Sequence, residues 1–507
     1  MLSKIPQSVL EVLEKIEKGG FEAYIVGGCV RDLLSKKEPN DWDCATNATP
    51  PQIVELFPDS FYENEFGTVG VKVEPFLKAT ALNPAREHDV IEVTTYRIES
   101  SYSDRRRPDE VKFAQTLAQD LGRRDFTMNA IALKITNYKL QITNTASDTR
   151  KKKDCEFEIV DLFGGQADIK NKIIRAVGKA DERFNEDALR MMRAIRFHAQ
   201  LNFKIEVETF EALKKNAGLI SHVANERVKD ELIKIILSAN PAEGIDMLQK
   251  TGVLKYILPE LESGVGIAQN RHHIFTIYQH CLMSLNHCPS KKLEVRLAAL
   301  FHDIAKPQTK RGEGTFATFY SHDHVGARIV EKILRRLKFS TEVIDKVVLL
   351  VDNHMFYYNP EEVGESSVRK LIKKVGLENI KDLIDLRVAD RLGSGTPKAK
   401  PYKLRHLEYL VEKVSKDAVS VKMLKINGND LMKDLGLAPG PKIGAILEVL
   451  LAEVIEEAEK NNQAQLLRRA KELDSEDLSK LREMAKEKIE EKKEEDNQEI
   501  KGKYWVS

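Results

Sequence analysis

Hydrophobic and polar positions follow two different spacings along the chain. In the first twenty residues the apolar side chains fall on one side of a helix, at Val9, Leu10, Leu13 and Ile16. Short apolar or alternating runs bounded by turn residues then predict strands at residues 23–26, 69–73, 90–95 and 130–135. After about residue 170 a helical spacing takes over. The pattern therefore predicts an α+β protein, with a strand-containing head followed by helical domains.

The length and the changes in pattern predict several domains. A chain of 507 residues is too long for a single hydrophobic core. We expect a head over 1–170, a helical neck over 171–260, a histidine-rich helical domain over 261–400, a small helical module over 401–472 and a charged tail over 473–507. The tail carries only a thin apolar stripe, at Leu478, Leu481 and Met484. We therefore expect it to be an exposed helix or a disordered segment rather than part of a core.

Composition narrows the class of protein. A hydrophobic fraction of 42% and a charged fraction of 31% are typical of a soluble globular protein. No apolar run reaches the roughly eighteen residues of a membrane span, and no export signal is visible, so no membrane association is expected. The five cysteines form no Cys-x-x-Cys pair, which favours the reducing cytoplasm. The net charge of +1 argues against wholesale polyanion binding, but basic residues cluster, so a nucleic acid would be held locally.

The first candidate for phosphate binding follows the first predicted strand. Gly27 and Gly28 would let the backbone turn tightly there and approach a ligand. Arg31 and Asp32 would then lie in the first turns of a helix, whose N-terminus favours anions. The alternative is an ordinary surface loop, in which Gly-Gly pairs are common.

Acidic residues on two later strands predict a metal site. Asp41 and Asp43 alternate with apolar neighbours, so both carboxylates would face the same way on a strand. Such a pair needs a cation, and hard oxygen ligands suit Mg²⁺, which assists phosphoryl displacement. Glu92, between Ile91 and Val93, would place a third carboxylate beside the pair. The alternatives are a solvated turn for the aspartates and an ordinary edge-strand position for Glu92.

Two groups of charged residues suggest nucleotide recognition. Arg123 and Arg124 precede a strand, and guanidinium forks match phosphate oxygens, although surface ion pairs are the alternative. In the segment 185–197, interpreted as one helix, Asp187 and Arg190 would be surface neighbours. A carboxylate only accepts hydrogen bonds and a guanidinium only donates them. The pair therefore matches the amino and ring-nitrogen edges of cytosine and adenine and rejects guanine and uracil. The alternative is an ordinary ion pair.

In their order along the chain, these motifs resemble those of a known family. They are Gly27-Gly28 with Arg31-Asp32, Asp41-x-Asp43, the loop Tyr102-x-Asp104-x-Arg106-x-Pro108, Arg123-Arg124-Asp125, Asp161 with Gly164-Gly165, and Glu186-Asp187-x-x-Arg190-x-x-Arg193. The set is similar to that of the class II CCA-adding tRNA nucleotidyltransferases and bacterial poly(A) polymerases, whose head has a polymerase-β-like fold. The resemblance is close from residue 21 to about 240 and continues with lower specificity to about 470.

The resemblance implies a reaction and a role for each motif. Nucleotides from CTP and ATP would be added to the 3′ end of tRNA, with Mg²⁺ bound by the paired aspartates and the loop at 102–108 assisting the switch from C to A. The catalytic residues would be Asp41 and Asp43, and Glu92, which the strand pattern alone suggests, would assist them. The nucleotide-binding residues would be Gly27, Gly28, Arg31, Asp32, Arg123, Arg124, Asp125, Asn129, Asp187, Arg190, Arg193 and Arg196. A later motif, Glu226-Arg227 with Glu231, is expected to be mainly structural.

Histidines in the next part of the chain predict a second metal site. Any one of them alone is better explained by a core or surface role, but imidazole and carboxylate together suit a divalent metal. The ordered set of His280, His302, Asp303 and Asp390 resembles the metal-binding pattern of HD-family phosphohydrolases. His322 and His354 would be available for a second metal. Phosphatase or cyclic-phosphodiesterase activity is implied, with a metal of unknown identity. The module over 401–472 resembles one that follows such HD domains, and we expect it to bind tRNA.

Rival functions stay open at the level of the sequence. An enzyme that adds only A, or a poly(A) polymerase, would carry the same motifs. A protein of another class would use the HD domain as a metal phosphohydrolase with an RNA-binding front end. A non-catalytic RNA-binding protein would have no use for so full a set of metal and nucleotide groups. The sequence identifies no protein partner.

Overall fold

The computed structural model describes residues 4–39, 41–62, 67–75, 88–99, 111–137, 156–269, 274–395, 400–416, 421 and 424–506. The chain divides into two compact units, Met1–Val348 and Leu349–Ser507. None of the helices in the described ranges combines the length and the apolar composition that a membrane span requires.

A seven-stranded sheet forms the centre of the head. The strands of the first unit are β1 (Ala23–Val26), β2 (Asp43–Thr46), β3 (Ser60–Tyr62), β4 (Thr68–Val73), β5 (Asp89–Thr95), β6 (Arg97–Glu99), β7 (Val111–Phe113), β8 (Ile131–Asn137), β9 (Glu156–Asp161), β10 (Ile173–Ile174) and β11 (Lys204–Ile205). The large sheet has the order β3-β4-β5-β2-β1-β8-β9. In it β2 and β5 run parallel, and the other neighbours are antiparallel. The four predicted strands are confirmed.

Helices surround the sheet and form the rest of the first unit. Those of the head are α1 (Gln7–Lys18), α2 (Gly28–Leu34), α3 (Pro50–Leu56), α4 (Leu117–Gly122) and α5 (Gly165–Asn171). Those that follow are α6 (Ala180–Glu186), α7 (Leu189–Leu201), α8 (Val207–Asn216), α9 (Asn225–Ile236), α10 (Pro241–Lys250), α11 (Leu254–Ile257), α12 (Pro259–Glu262), α13 (Ile277–Asn286), α14 (Leu293–Phe301), α15 (Lys306–Thr309) and α16 (His322–Arg336). The next helix, α17 (Thr341–Asp352), contains the boundary between the two units. Short 3₁₀ turns lie at Thr127–Asn129, Ala217–His222 and Gly314–Phe316.

The two faces of the sheet bury different sets of side chains. On one side α1 packs against β1, and its predicted apolar stripe is buried. On the other side a cluster forms around Val26, Ala45, Tyr96, Leu121 and Ala132.

The segment 185–197 is not one helix, so that prediction was wrong. α6 ends at Glu186, α7 begins at Leu189, and Asp187 lies between them with an extended backbone (φ −140°, ψ 104°). Its carboxylate accepts the backbone N–H of Leu189 at 3.0 Å. Aspartate favours such local hydrogen bonds at helix ends over a position within a helix, which explains the break.

The second unit is helical in its described part. Its helices are α18 (Glu365–Val375), α19 (Leu377–Gly393), α20 (Tyr402–Lys416), α21 (Gly428–Leu435), α22 (Pro441–Glu456), α23 (Gln463–Leu473) and α24 (Leu478–Tyr504), with a 3₁₀ turn at Ala458–Lys460. The charged tail differs from expectation, because Leu481 and Ala485 of α24 are buried in one cluster with Ile446 and Leu450 of α22. The spacing of four residues places both on one helix face. The α+β class is confirmed, whereas the five segment boundaries stay predictions.

Candidate active site

Gly27 forms the turn between β1 and α2 and lies between two charged groups. Its φ of +83° is in the left-handed region that favours glycine. A Cβ atom at this position would lie 3.1 Å from Nη1 of Arg124 and 3.4 Å from Oδ2 of Asp43. At Gly28, the first residue of α2, a Cβ would lie 3.6 Å from Nη2 of Arg31. The turn is therefore a small cradle between a guanidinium and a carboxylate.

Asp43 and Glu92 are direct neighbours on adjacent strands. Asp43 is the first residue of β2 and pairs in register with Glu92 of β5. Side chains of such a pair lie on the same face, one strand spacing of about 4.8 Å apart. Glu92 is exposed, whereas Ile91 and Val93 on either side of it are buried. The fold thus brings together two of the three carboxylates that the sequence predicted.

Asp41 lies outside the strand, so its predicted position on the strand was wrong. It is exposed and precedes β2 by two residues. The pairing of Ile25 with Cys44 places Asp43 opposite Val26, the last residue of β1. Residues before Asp43 therefore have no β1 partner to extend the pairing. The metal-binding role of Asp41 stays a prediction.

Asp120 holds the two consecutive arginines and was missed by sequence reasoning. It is 1% exposed, and its Oδ1 accepts hydrogen bonds from Nε and Nη2 of Arg123 at 2.9 and 2.7 Å. Its Oδ2 accepts one from Nη2 of Arg124 at 3.0 Å. Burial alone would raise the pKa of Asp120, but Arg124 and Arg123 outweigh it and hold the pKa below its usual value. The sequence spacing of Asp120 from Arg123 and Arg124, i, i+3 and i+4, was the available signal.

Arg31 joins the same region from α2. Its Nε donates to Asp32 at 2.9 Å, and its Nη1 donates to the side-chain oxygen of Asn129 at 3.0 Å. Asn129 lies in the 3₁₀ turn just before β8, and its backbone oxygen is 3.5 Å from Nη1 of Arg124. The predicted residues of α2 and of the Arg123–Asn129 segment therefore converge around the Gly27 turn.

Asp125 connects this region to α7. Its Oδ2 accepts Nε and Nη2 of Arg193, both at 2.7 Å, and its Oδ1 accepts the side-chain N–H of Asn129 at 3.2 Å. Burial would raise the pKa of Asp125, but Arg193 outweighs it and holds the pKa below its usual value. Asp125 is thus a structural link between the head and α7.

Asp187 and Arg190 lie at the break between α6 and α7, each in contact with a further charged group. Asp187 accepts a bidentate pair of hydrogen bonds from Arg227 of α9, at 2.8 and 3.4 Å. Arg190 is buried, and it donates to Glu186 at 2.8 Å and to the backbone oxygen of Arg123 at 3.1 Å. The last contact brings the proposed base reader next to the arginine pair.

Three arginines surround the ring of Phe197 in α7. Their guanidinium carbons lie 5.3 Å (Arg31), 5.6 Å (Arg193) and 4.3 Å (Arg196) from the ring centroid. Arg196 also donates to the buried Glu231 at 3.2 Å. Burial lowers the pKa of Arg196 to about 10. Phe197, which sequence reasoning did not single out, therefore lies beside three of the predicted nucleotide-binding residues.

Of the two remaining head motifs, one has a structural role and the other lies outside the described residues. Asp161 accepts the backbone N–H groups of Gly165 and Gln166, both at 2.8 Å, and so caps α5. A Cβ at Gly165 would lie 2.2 Å from the carbonyl oxygen of Thr127, so the position requires glycine. The predicted loop at 102–108 lies outside the described residues.

Comparisons with known proteins cover most of the chain. A family model described as the poly(A) polymerase head domain matches residues 23–175, one described as a probable RNA and SrmB-binding site of polymerase A matches 202–264, and one described as tRNA nucleotidyltransferase domain 2 matches 315–470. The CCA-adding enzyme of Lactococcus lactis subsp. lactis (strain IL1403) is 32% identical over 475 residues, which cover 93% of this chain and 99% of that protein. The chain belongs to the CCA-adding enzymes.

Other members of the CCA-adding enzymes agree with this assignment. That of Lactiplantibacillus plantarum (strain ATCC BAA-793 / NCIMB 8826 / WCFS1) is 32% identical, covering 92% of this chain and 97% of that protein. The solved structure of the Bacillus stearothermophilus CCA-adding enzyme in complex with CTP has a TM-score of 0.56 and 26% identity, and covers 92% of this chain and 97% of that one. The family predicted from the motifs is confirmed, and the chain is a nucleotidyltransferase.

A second cluster of titratable side chains, formed by His280, His302, Asp303 and His322, is buried in the helical part of the first unit. His280 Nε2 lies 3.0 Å from His302 Nε2 and 3.1 Å from Asp303 Oδ2, and His322 Nε2 lies 3.3 Å from Asp303 Oδ1. Nδ1 of His302 and of His322 lies 3.0 and 2.7 Å from a backbone oxygen. These backbone contacts orient the rings so that Nε2 faces the cluster. Four of the six predicted ligands therefore converge, and three of them, His280, His302 and Asp303, form a group that could hold a metal ion.

Lys306 contributes a positive charge to this cluster and was not singled out from the sequence. Its Nζ lies 2.6 Å from Asp303 Oδ2 and donates to the buried Gln269 at 2.8 Å. Burial would raise the pKa of Asp303, but Lys306 and His302 hold it well below the usual range. The position of Lys306 three residues after Asp303 in the sequence was the available signal.

The other two predicted ligands belong to the second unit. His354 is buried, and its Nδ1 lies 2.7 Å from the backbone oxygen of Val351. Asp390 accepts a hydrogen bond from Nη1 of Arg387 at 2.7 Å. Their roles as metal ligands stay predictions.

Proposed function

We propose that the head site adds nucleotides from CTP and ATP to the 3′ end of tRNA and so completes its CCA terminus. The observation that carries this proposal is the register pair of Asp43 and Glu92 next to the Gly27 cradle and Arg124. The names of the relatives, and CTP in the solved Bacillus stearothermophilus complex, support the choice of substrates. The absence of a membrane span among the described helices is compatible with the predicted cytoplasmic location.

The carboxylates fit a divalent ion. CCA-adding nucleotidyltransferases depend on divalent metal, and Asp43 and Glu92 offer hard oxygen ligands on one face, with Asp41 two residues away in sequence. We assign the ion as Mg²⁺, bound by these carboxylates. When bound, Mg²⁺ would supply Lewis-acid stabilisation of the phosphoryl oxygens.

The arginines bind and orient the triphosphate. Arg124 lies on one side of the Gly27 cradle, and Arg123 shares Asp120 with it. Because Asp120 fixes both guanidinium groups before the substrate arrives, little reorganisation is needed when charge develops on the phosphates. Arg31 adds a third guanidinium from α2.

The base is selected at the break between α6 and α7. Asp187 accepts from an exocyclic amino group and Arg190 donates to the neighbouring ring nitrogen, the pattern that cytosine and adenine share. Arg227 holds Asp187, and Glu186 holds Arg190. In this proposal the incoming base exchanges with part of those contacts, so protein side chains replace a nucleic-acid template.

One assay distinguishes this function from its rivals. A tRNA lacking its last three nucleotides is given CTP alone, ATP alone, and both, and product length is read on a gel. We expect two C residues with CTP, and one further A when both are present. A long A tail would instead assign a poly(A) polymerase, addition of A only to a tRNA already ending in CC would assign an A-adding enzyme, and no addition would contradict the proposal.

Replacement of the carboxylates tests the metal site. Asp41→Asn, Asp43→Asn and Glu92→Gln are expected to abolish or strongly reduce addition while RNA binding, measured by filter retention, is kept. Asp59→Asn is a matched control, since Asp59 is an exposed carboxylate of the same head whose Oδ1 is 3.7 Å from Lys72. Full activity of Asp43→Asn would refute the assignment.

We also propose a second function, metal-dependent phosphohydrolysis at the histidine cluster. The convergence of His280, His302 and His322 on Asp303 favours it. The full chain should hydrolyse bis-p-nitrophenyl phosphate or a nucleoside 2′,3′-cyclic phosphate when supplied with Mg²⁺, Mn²⁺, Co²⁺ or Ni²⁺. His302→Ala should lose this activity and keep CCA addition. No hydrolysis with any of the four metals would contradict the proposal.

A further inference from the structure

An exposed aromatic ring lies on the sheet close to the carboxylates. Phe61 in the edge strand β3 pairs with Gly70 of β4. A Cβ at Gly70 would lie 2.6 Å from Cζ of the Phe61 ring and 3.0 Å from both Cε atoms. The ring therefore lies across the glycine instead of extending beyond the edge of the sheet. Phe61 is nevertheless 40% exposed, so part of the ring is open to a ligand.

The pairing register puts this ring on the face of the reacting groups. Gly70 pairs with Glu92, and Glu92 pairs with Asp43. Paired residues direct their side chains to the same face of a sheet. With a strand spacing of about 4.8 Å, the ring over Gly70 lies about 5 Å from the backbone of Glu92 and about 10 Å from that of Asp43.

The phosphate-binding arginine lies on the other side of Asp43. Gly27 and Arg124 adjoin the end of β1, whereas Phe61 lies beyond β5, and β2 with Asp43 stands between them. In a phosphoryl displacement the attacking and leaving oxygens are roughly in line on opposite sides of the phosphorus. If the arginines hold the leaving pyrophosphate, the attacking 3′ hydroxyl must come from the β5 side.

We propose that Phe61 stacks against the terminal base of the RNA strand that is being extended. The inference rests on the proposed transfer function, and it makes Phe61 a positioning residue for the nucleotide whose hydroxyl reacts. Every base has a π face, so an aromatic platform accepts any terminal nucleotide. An enzyme that adds C, C and A in succession needs this tolerance, because the terminal base changes after each step.

A purely structural role for Phe61 makes a different prediction. An aromatic ring over a glycine in a neighbouring strand stabilises a sheet without any ligand. Phe61→Leu keeps an apolar cover over Gly70 but removes the π face. Tyr62 is the matched control, because it is 57% exposed and alternation directs it to the opposite face.

The test is single-nucleotide addition of A to a tRNA that lacks only its terminal A. For Phe61→Leu we expect the KM for this RNA to rise about 5-fold or more, up to about 150-fold, as for loss of one base–aromatic stack. The KM for ATP and the melting temperature should stay close to wild type. Phe61→Tyr should restore the KM for RNA, and Tyr62→Leu should leave it unchanged.

Three outcomes would overturn the inference. They are a wild-type KM for RNA in Phe61→Leu, a rise in the KM for ATP alone, or a change confined to the melting temperature. If Phe61→Leu does not fold, the wild-type enzyme is titrated with RNA ending in 2-aminopurine, whose fluorescence should be quenched by stacking; an unchanged signal overturns the inference. Full activity of Asp43→Asn would overturn the transfer function instead, and it would leave the fluorescence result standing.

Discussion

Replacement of Asp120 tests how Arg123 and Arg124, the arginines proposed to bind the triphosphate, are held. Its carboxylate is 1% exposed and accepts three hydrogen bonds from Arg123 and Arg124, whose side chains are 12% and 17% exposed. Asp120→Asn keeps the side-chain shape but removes the negative charge. Two largely buried guanidinium groups would then face a neutral amide.

The size of the effect follows from this burial. Breaking a buried ion pair by removing one partner costs about 3–5 kcal/mol. Asparagine still accepts hydrogen bonds with one oxygen, and both arginines keep some solvent contact, so we expect the free energy of unfolding to fall by about 3 kcal/mol. An anion that binds the folded protein restores stability by mass action. Pyrophosphate should therefore raise the melting temperature of Asp120→Asn more than that of the wild type.

Melting curves by differential scanning fluorimetry, with and without pyrophosphate, measure both effects. Addition of C to tRNA should slow by about 10- to 100-fold, because the guanidinium groups are no longer fixed for the transition state. Asp181→Asn is the control, since Asp181 pairs with Lys215 at 2.5 Å on the surface, where a pair contributes at most about 1 kcal/mol. The reasoning is refuted if Asp120→Asn melts like Asp181→Asn and gains no more from pyrophosphate than the wild type.

Three further predictions concern the turn, the base reader and acid stability. Gly27→Ala should lower the single-turnover rate of addition, because the new Cβ would displace Arg124. Gly20→Ala is the control: Gly20 has a φ of +87°, and a Cβ there would have no atom within 4 Å. This control carries only the backbone strain of about 1 kcal/mol and should keep the rate. Asp187→Ala should increase incorporation from GTP and UTP more than it raises the KM for CTP. Unchanged discrimination against GTP and UTP would contradict the role of Asp187 in base selection. The lowered pKa of Asp125 means that its stabilisation is present above the unfolded value of about 3.9 and is lost as pH falls through the folded pKa. Asp125→Asn should therefore flatten the dependence of melting temperature on pH below about pH 5. An unchanged slope would count against this contribution of Asp125 to stability.

Local sequence patterns were sufficient to predict the turn and the strand at the centre of the candidate site. The apolar run before Gly27 and the alternation around Glu92 identify a turn and a strand from adjacent residues alone, and both agree with the structure. The position of Asp41 could not be found in this way, because the start of β2 depends on where β1 ends. Similarly, Asp187 meets Arg227 forty residues later in the chain, a distance at which spacing carries no information.

The burial of the C-terminal helix α24 in a core is a further feature that local sequence patterns could not predict. Its composition is charged, and the stripe that includes Leu481 is too thin to form a core alone. The missing information was the partner, since α22 is apolar over much of its surface and supplies Ile446 and Leu450. A thin stripe is sufficient when the facing helix brings most of the apolar area.

The parallel pairing of β2 and β5 has a consequence for how the enzyme is made. Parallel strands need a long crossover connection. Here the connection is formed by residues 47–88, and it must close before Asp43 can pair with Glu92. Closing so long a loop is slow compared with forming hairpins such as β3–β4. A slip of one residue would also turn Glu92 into the core and an apolar neighbour towards the substrate. A newly synthesised chain should therefore acquire helices and hairpins first and catalytic competence last, so recovery of activity during refolding should lag behind recovery of helical circular dichroism.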